Sequence, residues 1–403
     1  MKHLKITLIG AALLGSTALT AQAQTVQMIM CGGEIREADQ AVIAQFEADN
    51  PGVTVNAEAV PWGTCQDKSL TLAAAGDPPG LAYMGSRTLK QMADNDLILP
   101  VEIPAEQQAV YQPGILNTVT SGGKVWGFPH AFSTKALYMN CDLIEAAGQA
   151  CEAPATWDDF YALAKAVVDN TDAAGVGLAA KDFDNTQHQF LNYLYSNGGK
   201  VLDPVTNEVL LNSPETVETL EFYGKLAEVS QEGPTAWERD QLKELFNDGQ
   251  IAMYINGPWG RGQHNADINQ KVVPVPHGPS GKSGTILITD SIAVFKGSGT
   301  EELAMELARR LSSGEAQYDL DQSWGLTPIM QYEKIGIENP YYKDDPFWQV
   351  FVDGIATGGP EPLVTDFKST QSVFTNMVQG IILGEDSAEN LVAIAAEELE
   401  DIK

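Results

Sequence analysis

Basic residues are scarce in this chain. Lys and Arg together number 24 against 54 Asp and Glu in 403 residues, which gives a formal net charge of -30. A polyanion of this size repels the phosphate backbone of nucleic acids, and it also repels anionic membrane surfaces. The composition therefore argues strongly against a nucleic-acid partner.

The sequence also lacks the short motifs of common enzyme classes. It has no Gly-x-Ser-x-Gly nucleophile elbow, no His-Glu-x-x-His zinc motif and no phosphate-binding Gly-x-x-x-x-Gly-Lys. Two acidic pairs, Asp158-Asp159 and Asp344-Asp345, are neighbours in sequence, and we interpret them as a helix cap and a solvated loop rather than as a glycosidase pair. The sequence thus predicts a protein that performs no chemistry and needs no metal or other cofactor.

Long apolar runs are missing beyond the N-terminus, and a bilayer-spanning helix needs about 20 apolar residues. The N-terminus has the pattern of a secretory signal peptide: Lys2 and Lys5, a short apolar run over 6–14, and the small residues of Ala21-Gln22-Ala23. We predict cleavage after Ala23, which removes two lysines and no acid, so the mature charge is -30 - 2 = -32. This predicts a periplasmic protein; the alternative is an N-terminal anchor that is retained.

Cysteines are few, and their number is even. The four are Cys31, Cys65, Cys141 and Cys151. In an oxidising compartment an even count favours two disulfides. Three connectivities are possible; Cys141–Cys151 is the local choice, and it leaves Cys31–Cys65. A zinc site is the alternative, but neither a close Cys pair nor a His-x-x-x-His spacing supports it.

The length of the chain suggests about two domains. The mature chain opens with alternating strand and helix patterns, in the order strand 26–30, helix 34–49, strand 53–60, helix 67–75 and strand 81–84. This β-α-β-α-β order predicts a largely parallel sheet with helices on both faces. A second alternating region follows Phe128-Pro129, and the chain ends in a predicted helix over 387–402.

An ordered set of short segments runs along nearly the whole mature chain. The segments are Asn50-Pro-Gly-Val-Thr-Val55, Val60-Pro-Trp62, Leu72-Ala-Ala-Ala-Gly-Asp-Pro78, Gly123-Lys-Val-Trp-Gly-Phe-Pro129, Ala136-Leu-Tyr-Met-Asn140, Pro154-Ala-Thr-Trp-Asp-Asp-Phe160, Asn197-Gly-Gly199, Ala252-Met-Tyr-Ile-Asn-Gly-Pro-Trp259 and Gly325-Leu-Thr-Pro328. Together they resemble the family 1 extracellular solute-binding proteins, which are the carbohydrate receptors of ABC importers and are similar to maltose-binding protein.

The resemblance implies a two-lobed α/β fold of the type II-like periplasmic binding proteins. Each lobe would be a mostly parallel sheet flanked by helices, with the ligand cleft between the lobes. It implies a first lobe of 24–133 plus 288–328 and a second lobe of 134–287 plus 329–403. It also implies a monomer that closes around one mono- or disaccharide, polyol or glycoside and delivers it to an inner-membrane ABC permease.

Three tryptophans are candidates for the surface that holds a sugar. A sugar presents apolar C–H faces and many hydroxyls, so its site needs aromatic rings and dense polar groups. Trp259 follows a buried strand and Gly257-Pro258, Trp62 follows the second strand, and Trp324 lies near a lobe crossing. Because strand ends face the crevice in open α/β sheets, we expect Trp259 to stack on the ligand. Core packing is the alternative for all three.

Four further candidates lie near the ends of the first two strands. Gly32 and Gly33 end the first strand, so their backbone N–H groups could hold a hydroxyl or an anion; a plain turn beside Cys31 is the alternative. Glu34 and Asp67 stand at predicted helix starts and could bind sugar hydroxyls. Helix-dipole capping explains both carboxylates equally well.

Cations near a predicted cleft are notable in so acidic a chain. Arg87 follows the third strand and Arg261 lies just past Trp259, so either could bind a carboxylate or sulfonate on the sugar. A surface ion pair is the alternative for each.

The predicted lobe crossings carry the remaining candidates. His130 and Ser133 lie at the first crossing and Asp290 at the second, while Gln187 begins a helix of the second lobe. A structural hydrogen bond is the alternative for each of these polar groups.

Two other functions compete with that of an importer's receptor. One is a secreted carbohydrate-active hydrolase or lyase on a similar two-lobed scaffold. The other is a periplasmic sensory protein that hands its ligand to a chemoreceptor.

Overall fold

The structure is a computed structural model that describes residues 23–203 and 206–403. The predicted signal peptide, residues 1–23, therefore lies outside the described residues apart from Ala23. In the two described ranges, no helix combines the length and the apolar character needed to cross a membrane.

Twelve strands form three sheets in the described part of the chain. In chain order they are β1 Gln24–Cys31, β2 Val53–Val60, β3 Leu81–Gly85, β4 Thr120–Ser121, β5 Lys124–Val125, β6 Phe128–Ser133, β7 Ala136–Asn140, β8 Ala174–Gly177, β9 Ile251–Asn256, β10 Gln270–Val273, β11 Ile286–Val294 and β12 Gly359–Pro360.

Fifteen α-helices surround the sheets in the same described ranges. They are α1 Glu37–Asp49, α2 Trp62–Ala74, α3 Leu89–Asp94, α4 Ala105–Gln108, α5 Cys141–Ala146, α6 Trp157–Asn170, α7 Asp184–Ser196, α8 Pro214–Ala227, α9 Arg239–Asn247, α10 Gly260–Gln263, α11 Glu301–Leu311, α12 Gly314–Trp324, α13 Pro346–Asp353, α14 Phe367–Leu383 and α15 Ala388–Ile402.

The first large sheet has the order β12-β11-β3-β1-β2, and β6 also pairs with β11. Strands β2, β1 and β3 are parallel, whereas β11 runs antiparallel to both β3 and β6. The residues of β2 alternate in exposure along the strand, as expected for a strand covered on one face. The predicted parallel β-α-β-α-β unit is confirmed, within a sheet that is mixed as a whole.

The second large sheet has the order β10-β7-β9-β8. Here β7 is antiparallel to both β9 and β10, and only β8 and β9 are parallel. The two-lobed fold with helix-flanked sheets is confirmed; both sheets are mixed, and most strand pairs are parallel in the first sheet but antiparallel in this second one. The continuous apolar runs of β7 and β9 predict burial on both faces, and burial does not determine the direction of pairing.

Two apolar cores accompany the two sheets. One contains Phe46 and Ile292 on the first sheet and its helices, and the other contains Phe190 and Phe374 near the second, all of them fully buried. Each such side chain contributes about 1.5–3 kcal/mol relative to exposure. The first core also takes in Tyr138 and Tyr254 of the second sheet, so apolar packing continues from one sheet to the other.

Local capping signals position several helices as predicted. Asp159 accepts from the backbone N–H of Thr156 and Thr156 accepts from that of Asp159, each at 3.1 Å, so the acidic pair there is a helix cap. The second acidic pair differs from its prediction as a solvated loop. Asp345 caps α13 through the N–H of Phe347 at 3.0 Å, and it also pairs with Arg261.

Both disulfides have the connectivity that the sequence favours. Cys31 joins Cys65 with Cα atoms 5.4 Å apart, and Cys141 joins Cys151 at 5.3 Å. The first bond ties the end of β1 to the first turns of α2, the helix that begins at Trp62. The second closes a short loop beside α5.

The segments that pass between the lobes are hydrogen-bonded to one another. The Lys135 N–H donates to Thr285 Oγ1 at 2.8 Å, and the Thr134 N–H donates to Thr327 Oγ1 at 3.2 Å. Except for β12 and the first two residues of β11, the strands of the large sheets follow the predicted lobe boundaries, and on that basis we retain those boundaries as a proposal.

Candidate functional site

A cavity of about 390 Å³ lies between the two lobes. The first lobe lines it from α2, β3, β6 and β11, and the second from α7, α9 and the turn after β9. Its wall combines aromatic rings with charged groups, among them Arg36, Trp62, Tyr83, Arg87, Ser133, Lys135, Lys181, Asp184, His188, Glu238, Arg239, Asp240, Trp259, Asp290 and Trp324. The volume falls in the range of small-molecule sites, about 300–1,000 Å³.

An aromatic surface forms the first-lobe wall. Trp62 is 38% exposed, and its ring lies edge-on to that of Tyr83, with the two centroids 5.3 Å apart. The centroid of the Trp324 ring lies 6.4 Å from that of Trp62. The Arg36 guanidinium lies over Trp324, with Cζ 3.8 Å from the ring centroid. The exposed ring of Trp62 lines the cavity, so it is available to stack on a ligand.

The opposite wall is built around Trp259. Strand β9 ends at Asn256, and the carbonyl of Gly257 accepts from Tyr138 Oη at 2.8 Å, which holds the turn that carries the indole. A Cβ at Gly257 would lie 2.4 Å from the Trp259 ring, so only glycine allows this packing. Two cations lie over the indole: Lys135 Nζ is 4.5 Å and Arg239 Cζ is 5.2 Å from its centroid.

Arg87 lies at the meeting point of the two lobes and is 3% exposed. Its guanidinium contacts Asp184 at 2.9 Å, Asp290 at 3.4 Å and Glu361 at 3.5 Å. Glu361 in turn contacts His188 Nε2 at 2.5 Å. These five residues, which we call the Arg87 network, join α7 of the second lobe to β11 and the end of β3 in the first.

Burial and charge compete within the Arg87 network. Burial alone would raise the pKa of each carboxyl, but attraction to Arg87 and His188 outweighs it and lowers the pKa of Asp184 and of Glu361 below the ordinary range. At Asp290 burial outweighs the attraction of Arg87, so the pKa of that carboxyl is raised. Tyr83 Oη donates to Asp290 at 2.9 Å and so links the network to the aromatic wall.

A second polar cluster lies deeper in the first lobe. His130 is fully buried behind Tyr83, with ring centroids 5.9 Å apart, and its Nε2 is 3.2 Å from Asp39 Oδ1. Nearby, Asp321 accepts from Tyr332 Oη at 2.6 Å and from the Ile329 N–H at 2.9 Å. Burial raises the pKa of Asp321 to about 7.

A family model described as bacterial extracellular solute-binding protein matches residues 32–318 of this chain. The chain belongs to this family. A Brucella abortus protein named as a candidate binding protein is 27% identical over 359 residues, which cover 87% of this chain and 86% of that protein. The galactooligosaccharide-binding protein of Bacillus subtilis is 24% identical over 248 residues, covering 58% and 56% of the two chains.

Solved structures share the fold of this solute-binding protein. An ABC transporter solute-binding protein from Thermotoga lettingae, bound with α-D-tagatose, has a TM-score of 0.82 at 24% identity and covers 94% of this chain and 99% of its own. The maltose-bound MalE3 of Thermotoga maritima has a TM-score of 0.78 at 23% identity and covers 94% of this chain and 100% of its own. At this level of identity the likeness shows the fold alone.

The cavity of this solute-binding protein brings together six of the residues singled out from the sequence. They are Trp62, Arg87, Ser133, Trp259, Asp290 and Trp324. Trp62 begins α2, three of them (Arg87, Ser133 and Trp259) lie at or just after strand ends, Asp290 lies within β11, and Trp324 ends α12. Whether each touches the ligand remains a prediction.

Seven predicted residues lie outside the cavity lining. Gly32 is buried in a turn, with its N–H donating to the Val60 carbonyl at 2.8 Å. His130 and Gln187 are fully buried, and Arg261 pairs at the surface with Asp345 at 2.6 Å. The other three are exposed residues of the first lobe: Gly33, Glu34 and Asp67.

Sequence reasoning missed several charged and aromatic groups of the cavity. Tyr83 lies within β3, Lys135 lies two residues beyond Ser133 in the first crossing, and Asp184 and Arg239 each begin a helix. A search for charged residues at every helix start and crossing would have found the last three. Tyr83 has no such signal, because its position in a buried strand equally predicts core packing.

Proposed function

We propose that this protein is the periplasmic carbohydrate-binding component of an ABC importer. In this proposal the exported monomer captures a mono- or disaccharide, polyol or glycoside, has no nucleic-acid partner, and delivers its ligand to an inner-membrane permease without catalysing a reaction. Cleavage of the signal peptide after Ala23 would release it into the periplasm.

The observation that carries the proposal is the pair of aromatic walls across the cavity. Trp62 and Trp324 come from the first lobe and Trp259 from the second, with charged and polar side chains between them. Stacking on C–H faces combined with hydrogen bonds to hydroxyls is the chemistry that a sugar requires. Tagatose, maltose and galactooligosaccharide in the names of proteins similar to this chain support the same ligand class.

Closure of the lobes on the ligand is part of the proposal. A site divided between two lobes binds fully only when both walls are in contact with the ligand, so ligand favours the closed state. The hydrogen-bonded crossings at Thr134, Thr285 and Thr327 are suited to act as the hinge, since few segments connect the lobes there. A permease could then distinguish loaded from empty protein by its shape.

Calorimetry with a ligand found in a thermal-shift screen of sugars and polyols tests the proposal. We expect Trp259→Ala to weaken binding by about 2 kcal/mol or more, roughly thirtyfold, since buried aromatic anchors dominate such sites. Trp126→Ala is the matched control, because Trp126 is half-buried outside the cavity and donates to the Ser121 carbonyl at 2.9 Å. Equal affinities in both variants would contradict the role of Trp259.

The hydrolase alternative predicts a different outcome when the protein is incubated with oligosaccharides. The carboxylates Asp184 and Asp290 of the cavity are engaged by Arg87 rather than placed as a separate acid and base. Incubation with an oligosaccharide pool should therefore give ligand-linked stabilisation without product. Accumulating product would overturn the proposal in favour of an enzyme.

A further inference from the structure

A buried lysine faces the second-lobe wall of the cavity without a carboxylate partner. Lys135 is 5% exposed, and its Nζ donates to Ser133 Oγ at 2.6 Å. In the part of the chain that the structure describes, no carboxylate oxygen lies within ion-pair distance of this ammonium. A buried cation that lacks a counter-ion is costly, so such groups are normally paired.

A second cation intensifies this local excess of positive charge. Arg239 lies over the same indole as Lys135, and the Arg239 Nε is buried without a hydrogen-bond partner among the described residues. Among the described residues its terminal nitrogen is within ion-pair distance of one carboxylate, that of the exposed Asp240, at 3.2 Å, and its charge also helps to lower the pKa of Asp184. Burial is the main cause that lowers the pKa of Lys135; repulsion from Arg239 adds to it, and attraction to Asp290 and Glu361 opposes it.

Two of the other cations near the cleft are already paired with carboxylates. Arg87 is surrounded by three carboxylates of the Arg87 network, and Arg261 lies outside the cavity with Asp345. The two arginines that the sequence suggested for an anionic ligand are thus already neutralised. The carboxylates of the network are likewise engaged, by Arg87 and His188, so they compete weakly for Lys135.

We infer that the ligand carries an anionic oxygen group, a carboxylate, sulfonate or phosphate, that binds beside Trp259 and pairs with Lys135 and Arg239. This inference rests on the proposed carbohydrate function and narrows the ligand class to acidic sugars or acidic sugar derivatives. The ligand supplies the counter-charge that the protein omits, through charge-assisted hydrogen bonds from both cations. The strongly negative chain repels anions at a distance, so this selectivity is local, within about a Debye length of 8–10 Å.

Matched pairs of neutral and acidic sugars test the inference. The probes are D-glucose with D-glucuronate, glucose 6-phosphate and 6-sulfoquinovose, D-galactose with D-galacturonate, and cellobiose with cellobiouronic acid, first by thermal shift and then by calorimetry. We expect an acidic member to bind at least tenfold more tightly than its neutral partner. The acidic sugar that binds most tightly shows whether the preferred anionic group is a carboxylate, a phosphate or a sulfonate.

Two variants connect that preference to the cations. Lys135→Met should reduce affinity for the acidic sugar at least tenfold more than affinity for its neutral partner, and Arg239→Gln at the partly exposed neighbour should shift the same ratio in the same direction. Lys165→Met is the control for lost charge, since Lys165 is exposed on α6 and paired with Asp169. The ligand-free Lys135→Met protein should also melt no lower than the wild type, because the buried charge is gone.

The outcomes separate this inference from the function on which it rests. If neutral sugars bind as tightly as their acidic partners, or if both variants keep the wild-type preference, the inference is overturned and the carbohydrate function stands. If no saccharide of either kind stabilises or binds the protein, the carbohydrate function itself fails.

Discussion

Replacing Arg87 by methionine should cost this protein about 3–5 kcal/mol of stability at neutral pH, because three buried or nearly buried carboxylates then lose their common partner. The side chain is 3% exposed, and Asp184, Asp290 and Glu361 are 17%, 14% and 4% exposed. Water therefore compensates little for the lost cation. Methionine keeps most of the volume, which limits the contribution of a cavity.

The magnitude follows from the distances in the Arg87 network. At an effective dielectric of 20, unit charges at 2.9–3.5 Å attract by about 5–6 kcal/mol per pair. Burial of Arg87 itself and repulsion among the carboxylates offset most of that attraction. The net cost measured when one partner of a buried pair is removed is about 3–5 kcal/mol, and we expect this variant in that range.

The pH dependence of the loss has a definite sign. In the wild type the pKa values of Asp184 and Glu361 are held below their ordinary values, so their stabilising charge is present above about pH 4.5 and is lost as the pH falls through the folded values. In Arg87→Met the same carboxyls are buried without the guanidinium and protonate more readily. The difference between the two proteins should therefore be largest near pH 7 and shrink below about pH 4.

Urea denaturation of the ligand-free protein, followed by tryptophan fluorescence at pH 7 and pH 4, measures the difference. Arg261→Met is the matched control: its guanidinium is 51% exposed, pairs with Asp345 and lies over the Phe347 ring, and the ion pair should contribute no more than about 1 kcal/mol. Equal stabilities of the two variants at pH 7 would refute the reasoning, as would a loss for Arg87→Met that does not change with pH.

Two further outcomes follow from the disulfides and from a buried acid. Replacing Cys31 and Cys65 by serine should cost about 4 kcal/mol, against about 3 for Cys141 and Cys151, since the sequence separations are 34 and 10 residues; a larger drop in melting temperature for the second pair would contradict this order. For Asp321, burial raises the folded pKa to about 7 above its unfolded value of 3.8, so stability falls by a few kcal/mol as the pH rises from about 4 to 7. Asp321→Asn should flatten that fall in pH-dependent urea melts, and an unchanged slope would show that another group causes it.

Local patterns in the sequence were sufficient for most secondary structure of the first lobe. The predicted strand over 53–60 and the predicted helix over 34–49 end where β2 and α1 end. The helix predicted over 67–75 begins earlier, at Trp62, because Pro61 opens it and the Cys31–Cys65 bond holds its first turns. Trp62 therefore lies at a helix start rather than in a loop.

The candidate site was predictable in its aromatic part and much less so in its charges. Trp62, Trp259 and Trp324 could be placed near the cleft because they follow strand ends or precede crossings. Charged side chains at similar positions were equally good candidates. The sequence could not show that Arg87 would pair with carboxylates while Lys135 would not. Long side chains reach several neighbours, so a position in sequence leaves their partners open.

By itself, the sequence predicted an export signal, and it determined the alternation of strands and helices, the helix caps and the favoured cysteine pairing, because each depends on residues close together in the chain. Only the tertiary structure decided which charges meet in the cleft. Arg87 pairs with Asp184 and Asp290, which are 97 and 203 positions away in the sequence. The packing of the two lobes brings these residues together. A cation's partner, and hence the charge left for a ligand, is a property of that packing and not of any local pattern.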